Sequence, residues 1–549
     1  MARTPFFDSV RRLLTIARHA DEKSLSTDDA MGEAAAAAET AETNRLSRRR
    51  LLQSAAVASA AVAATNILPG RARAAKRSGP GSVAVVGAGM AGLTCVDTLA
   101  VKGVTATLYE AGLRAGGRMQ SLGLGFPGAV DFPGQVVELG GEFIDTTHTT
   151  MKSYAQALGF ATEDVRRESG STFYAVGSTL YSEAEVVAEF RDLVDAMRDD
   201  LRNLSNGPTA TSFTPFDRSL DLMTLRHYLA SRGAGPLITA ILDSAYTGEY
   251  GREIDQQSAL NFLFFAKADN RSKFKPFGIF SDERYHLVGG NEQIPRALAQ
   301  TYDDRLEYGA WLQKVERLSS GRYRLHFRSS DGLTVWGPTW SADHDSVVLA
   351  LPFSVLRTVE LHSSLGLPAT KTNAINNFGY GTNSKLMVGF TSRPWNNYGG
   401  TGALFAKDIP YVLNTWETNY VNGDANRAVL TDYTGGALGL SLDPSQASRD
   451  AGRFVAGLER VWPGISNATR KNGNTIRAVT RNWSLVPTAR GSYTSNAPGY
   501  FTTIAGHEAT PVGRLFFAGE HTDSFYEWQG FMEGAANSGI RAALEVVRG

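Results

Sequence analysis

The period of apolar and polar positions changes several times along the chain, and each change marks a different element. Val83-Ala84-Val85-Val86 is an unbroken apolar run of strand length, followed by a glycine-rich turn and a helical stretch to Lys102. Val104 to Tyr109 reads as a second strand, closed by Glu110. Alternation around Tyr323-Arg324-Leu325-His326-Phe327 predicts a half-buried strand, and Lys385-Leu386-Met387-Val388-Gly389-Phe390 predicts another. Helical periodicity marks 183–204 and 255–266, the first expected as a solvated amphipathic helix rather than an interaction surface.

The first 44 residues are polar and alanine-rich and show no core periodicity. The text then turns basic at Ser47-Arg48-Arg49-Arg50-Leu51-Leu52-Gln53 and runs apolar with small residues to Leu68. Gln53, Ser54, Ser59, Thr65 and Asn66 make this run a poor membrane span and a good signal core, and Ala72-Arg73-Ala74 has the residues a signal peptidase reads. Residues 1–74 resemble a twin-arginine signal with a long n-region. The resemblance implies the twin-arginine translocase as a partner, a periplasmic or extracellular destination, and no stable membrane insertion after cleavage. An uncleaved anchor is the alternative.

A chain of 549 residues has room for two or three domains. Its 55 Lys+Arg balance 55 Asp+Glu, and the only dense arginine run is near the N-terminus, so nucleic acid is not an expected partner. The single cysteine, Cys95, excludes an intramolecular disulfide framework and a multi-thiolate metal site, and it reads as a small buried hydrophobe. His148, His286 and His521 fit no metal spacing, and no metal is expected. The 56 glycines exceed the usual ~7% without any repeat, the habit of a nucleotide-binding α/β enzyme.

That habit has a location. In Gly87-Ala88-Gly89-Met90-Ala91-Gly92, Gly87 allows a tight turn, Gly89 lets backbone approach a pyrophosphate, and Gly92 lets helix and sheet pack closely. Glu110, about twenty residues on, is placed to accept from ribose hydroxyls. An adenine dinucleotide is expected.

Further motifs follow in order: Gly116-Gly117-Arg118, Glu138-Leu139-Gly140-Gly141-Glu142-Phe143-Ile144, Gly289-Gly290-Asn291-Glu292, Val347-Val348-Leu349-Ala350-Leu351-Pro352, Leu515-Phe516-Phe517-Ala518-Gly519-Glu520-His521 and Trp528-Gln529-Gly530-Phe531-Met532-Glu533-Gly534-Ala535. With them the chain resembles the flavin-containing amine oxidase family, which includes monoamine, polyamine and L-amino acid oxidases, from about residue 81 to 549. The resemblance implies an α/β fold: a Rossmann-like FAD-binding domain from segments 81–149, 285–357 and 484–549, and an α+β substrate domain from 150–284 and 358–483. It places FAD against Gly87, Gly89, Ala91, Gly92, Glu110, Gly117, Arg118, Gly140, Gly141, Glu142, Phe143, Leu312, Trp483, Gly519, Glu520, Gly530, Phe531 and Met532. Gly112 departs from the arginine that many relatives carry there.

Three residues are expected at the chemistry. Lys385 matches the family lysine that holds a water at flavin N5, and a lysine in an apolar strand is costly unless its charge is satisfied. Tyr493 and Phe531 match the two aromatic positions that sandwich the amine. Ser492 stands where monoamine oxidases have a flavin-linked cysteine, so FAD is expected to be noncovalent.

The substrate reading stays open at this level. Phe143 occupies the place of an arginine that clamps the substrate carboxylate in L-amino acid oxidases, which leans toward monoamines or polyamines. Arg252, Arg284 or Arg490 could supply that charge instead, and Glu142 and Glu249 could attract a second cationic group. Expected is oxidative deamination with O2 as acceptor, giving an aldehyde or keto acid, ammonia or an amine, and hydrogen peroxide. Basic L-amino acids are the alternative substrate class; a desaturase or quinone-linked dehydrogenase, or a flavin-holding module without turnover, are alternative activities. A homodimer is compatible with the sequence.

Overall fold

The computed structural model describes residues 5–37, 81–123, 132, 134–165, 170–267, 283–418, 427–523 and 528–549. The arginine run at 48–50 and Ala72-Arg73-Ala74 lie outside these residues.

One layer is a five-stranded parallel sheet, in the order Leu515–Phe517, Ser346–Leu349, Val83–Val86, Ala106–Glu110, Leu306–Tyr308. Val83–Val86 is its centre and is buried at every position, as an apolar run covered on both faces must be. The helix Met90–Val101 packs against the C-terminal helix Met532–Arg548, and Thr94 Oγ1 donates to Ala536 O across the contact at 3.0 Å. Gly539 permits that approach, since a Cβ there would lie 2.1 Å from Ala91 O. Strands Ala310–Arg317, Tyr323–Ser330 and Val335–His344 form an antiparallel sheet beside it, with Phe327 packed on Tyr109 at 4.6 Å between ring centroids. The short strand Glu360–Leu361 joins this sheet by pairing with Lys314 and Val315, so the nucleotide-side architecture runs past the boundary expected at 357.

The second layer is a seven-stranded sheet, in the order Ala478–Asn482, Ser384–Phe390, Ala428–Thr434, Asn414–Glu417, Gly400–Lys407, Ser171–Val176, Thr179–Tyr181. Ser384–Phe390, Asn414–Glu417 and Ala428–Thr434 are buried throughout. Leu386, Val388 and Phe390 pack with Trp395, Phe454 and Trp462, which leaves Lys385 on the opposite face.

Three expectations are corrected here. The 183–204 stretch is two helices, Glu183–Ala196 and Arg198–Asn203, opened by a Ser182/Glu185 capping box. It is not a free solvated helix, because Val186, Val187, Phe190 and Leu193 are buried and the N-terminal helix Pro5–Glu22 lies against it. Residues 5–22 therefore do carry core periodicity: Val10, Leu13, Leu14 and Ala17 fall on one face and are fully or nearly fully buried. Alanine-rich composition hid a stripe whose bulky members are few. Ion pairs Arg12–Glu183 and Arg198–Asp21 and the bond from Arg18 to Ala266 O bracket the contact. The 255–266 pattern also shifts, with helix only over Leu260–Lys267.

Candidate active site

A cavity of about 480 Å³ runs from the Gly87–Gly92 turn to the face of the seven-stranded sheet that carries Lys385. That is within the size range of small-molecule and cofactor sites. Every expected site residue lines it except Gly92. Gly92 sits behind the wall: a Cβ there would meet Gly87 O at 1.9 Å, so its role is to let the helix start directly under the turn.

The nucleotide end is mostly backbone. Gly87 has φ +102 and its Cβ would lie 2.7 Å from Ala350 O. Glu110 is already bonded at both oxygens, to Ala88 N and Gly112 N, each at 2.8 Å, and burial raises its carboxyl above the usual range. At Gly112, therefore, the backbone N–H takes up the acid. Arg114, not singled out by motif, donates to Ala115 O, Met119 O and Gly117 O and pairs with Glu292 at 3.1 Å, which shapes the 115–119 loop. Leu312 lies at a register shift between Ala310–Arg317 and Tyr323–Ser330.

Midway, Glu520 is a junction. It pairs with Arg118 at 3.0 Å and accepts from Thr494 Oγ1 and Gly530 N, each at 2.6 Å. Gly140 and Gly141 pass where no side chain fits, since a Cβ would lie 1.7 Å from Arg118 O or 2.8 Å from Met532 Sδ, respectively. Asn291 fixes this loop by donating to Gly141 O and Glu142 O, and its own N–H donates to the Glu138 carboxylate. That carboxyl is buried and pushed up to about 7 by desolvation. Trp483 Nε1 donates to Leu139 O at 3.0 Å. Ser492 Oγ donates to Asn383 at 2.6 Å, and the chain's only thiol, Cys95, is away from the cavity and pushed up to about 12 by burial.

The far end is side chain. Lys385 Nζ donates to Glu138 O (3.0 Å), Gly140 O (2.9 Å) and Glu142 Oε2 (2.7 Å). Glu142 also accepts from Trp416 Nε1 at 3.1 Å and Thr418 Oγ1 at 3.3 Å. It is therefore neither solvent-facing nor free for a second cationic group of a substrate. Tyr433 and Tyr493 share a 2.6 Å hydroxyl contact, and Tyr493 donates to Glu249 O. The Glu249 side chain is fully buried and does not line the cavity. The Phe531 ring is held by His148 and Trp528 at 5.1 and 5.8 Å.

Phe143, Trp416, Tyr433, Tyr493 and Phe531 thus make an aromatic enclosure. Trp416, Tyr433, Arg481 and Glu283 are wall residues that the sequence reading missed. Strand register could have found Tyr433 and Arg481, which lie directly opposite Lys385 on its two neighbouring strands. Arg252 donates to Tyr380 O, Arg284 pairs with Asp164 at 2.8 Å and Arg490 is exposed, and none of the three lines the cavity.

A family model described as flavin containing amine oxidoreductase matches residues 90–547. An L-amino-acid oxidase of Pseudechis australis is 24% identical over 501 residues, covering 86% of this chain and 87% of its own. Cyclohexylamine oxidase from Brevibacterium oxydans superposes with a TM-score of 0.68 at 19% identity, over 85% of this chain and 99% of its own. Wild-type putrescine oxidase bound to putrescine gives the same TM-score, identity and coverage.

Proposed function

The chain belongs to the flavin-containing amine oxidoreductase family and catalyses FAD-dependent oxidative deamination, and we propose that its substrate is an amine without an α-carboxylate. The observation that carries this reading is the composition of the far end of the cavity. Its walls there are aromatic, Phe143 stands beside Trp416 where a carboxylate clamp would need a guanidinium, and the Lys385 ammonium is already committed to Glu142.

The donor set fits the cofactor. Gly87, Gly89 and Glu110 suit the pyrophosphate and ribose; Arg118, Gly140, Gly141, Glu520 and Met532 suit the remainder; Ser492 offers no thioether. Bound FAD supplies the two-electron acceptor for the carbon beside the nitrogen. Tyr493 and Phe531 would orient the neutral amine between π faces, and the enclosure would keep water from the reacting carbon. The oxidised substrate would leave as an imine for hydrolysis in bulk water. O2 is the proposed electron acceptor. Export by the twin-arginine route remains a proposal; a cut after Ala74 would detach the docked helix Pro5–Glu22 from the rest of the chain.

The test is peroxide formation by the FAD-loaded protein over monoamines, di- and polyamines, and L-amino acids. Amines are expected to give kcat/KM at least about tenfold above any L-amino acid, a margin of about 1.4 kcal/mol. A faster L-amino acid would overturn the substrate assignment, and turnover only with a quinone would overturn the acceptor.

A further inference from the structure

Lys385 and Glu142 form an ion pair whose partners are each about 5% exposed, inside the wall of the cavity. An ammonium has three N–H donors. Here all three are spent, on two carbonyls of the 138–142 loop and on the Glu142 carboxylate. The carboxylate in turn is held in place by Trp416 and Thr418. The pair therefore presents close to zero net charge to whatever occupies the cavity, and the Lys385 ammonium is held against the loop.

We propose that Glu142 is a positioning residue: it holds Lys385 as a neutral pair on the loop that borders the cofactor and thereby sets the reduction potential of bound FAD. The inference rests on the reading of the cavity as an FAD site. A positive charge beside a cofactor that gains electrons stabilises the reduced form, and a negative charge destabilises it; inside a poorly screened cavity neither is diluted by salt as a surface charge would be. Removing either member of the pair unmasks the other. The two single substitutions must then act with opposite sign, and the double substitution must cancel them. A merely structural role for Glu142 would not produce that pattern.

The experiment uses the full-length, FAD-loaded protein and measures the midpoint potential at pH 7 by equilibration with a reference dye. E142Q is expected to shift the two-electron equilibrium toward reduced FAD by about tenfold, about 30 mV more positive. K385M is expected to move it about as far in the other direction, and the double variant E142Q/K385M to return within about threefold of the parent. E142D, which keeps the charge, should leave the potential unchanged and provides a second variant should E142Q fail to fold. Shifts of the same sign in both single variants, a double variant that adds rather than cancels, or an E142D shift as large as that of E142Q would each overturn the proposal. A parent protein that binds no FAD would overturn the reading beneath it as well, and is distinguishable because no potential could be recorded for any variant.

Discussion

The two ends of the cavity are built in opposite ways. The nucleotide end is backbone on a parallel sheet: Gly87 and Gly92 act by lacking a Cβ, and the residues that make the turn are neighbours in sequence. The amine end is side chain on a largely antiparallel sheet: Lys385, Trp416 and Tyr433 come from three strands and meet only through register. Backbone geometry tolerates almost no substitution, whereas a wall of side chains can be exchanged piece by piece. One end should therefore fix the cofactor while the other sets which amine is accepted.

Substitutions can break that contrast. The largest effect is expected for Gly140→Val, whose Cβ would lie 1.7 Å from Arg118 O; FAD content after purification should fall to about a tenth of the parent or less. Next comes Leu13→Ala on the N-terminal helix. It should cost about 2–5 kcal/mol in a thermal or urea unfolding measurement, because Leu13 is fully buried against the amine-end layer. If FAD is lost in proportion, the two ends are less independent than their construction suggests.

The third concerns pH. The Glu138 carboxyl sits at about 7 in the folded chain against an ordinary 4.5, so between those values the folded state holds a proton that the unfolded state has released. Stability from this group is present below about pH 4.5 and is lost as pH rises through about 7, by up to about 3 kcal/mol in all. Glu138→Gln should flatten that slope in unfolding curves taken from pH 5 to 8; an unchanged slope would show that another group carries it. The smallest effect is expected for Tyr493→Leu. Here kcat/KM should fall about tenfold, or about 1.4 kcal/mol, with FAD content unchanged.

The same contrast explains what could be read from the chain itself. Gly87 to Gly92 with Glu110 was legible because a local turn, a strand and an acid at a set distance are all written in one short segment. Lys385 was legible because a charge inside an apolar strand is anomalous on its face. Its partner was not: Glu142 lies 243 residues away, and only the folded sheet shows that the two meet. Trp416 and Tyr433 were not singled out for the same reason. The N-terminal helix was missed because its stripe of Val10, Leu13, Leu14 and Ala17 is diluted by small and polar neighbours, and the surface it covers is supplied by residues near 190.

The contact between the Met90–Val101 and Met532–Arg548 helices has a consequence for how the molecule is made. Segments 442 residues apart at Thr94 and Ala536 are laid side by side, and the Leu515–Phe517 strand is an edge of the sheet that carries the glycine turn. Until Met532–Arg548 has been made, the helix that follows the glycine turn lacks the surface it packs against. Removal of that second helix should therefore lower FAD retention, read as flavin absorbance after purification.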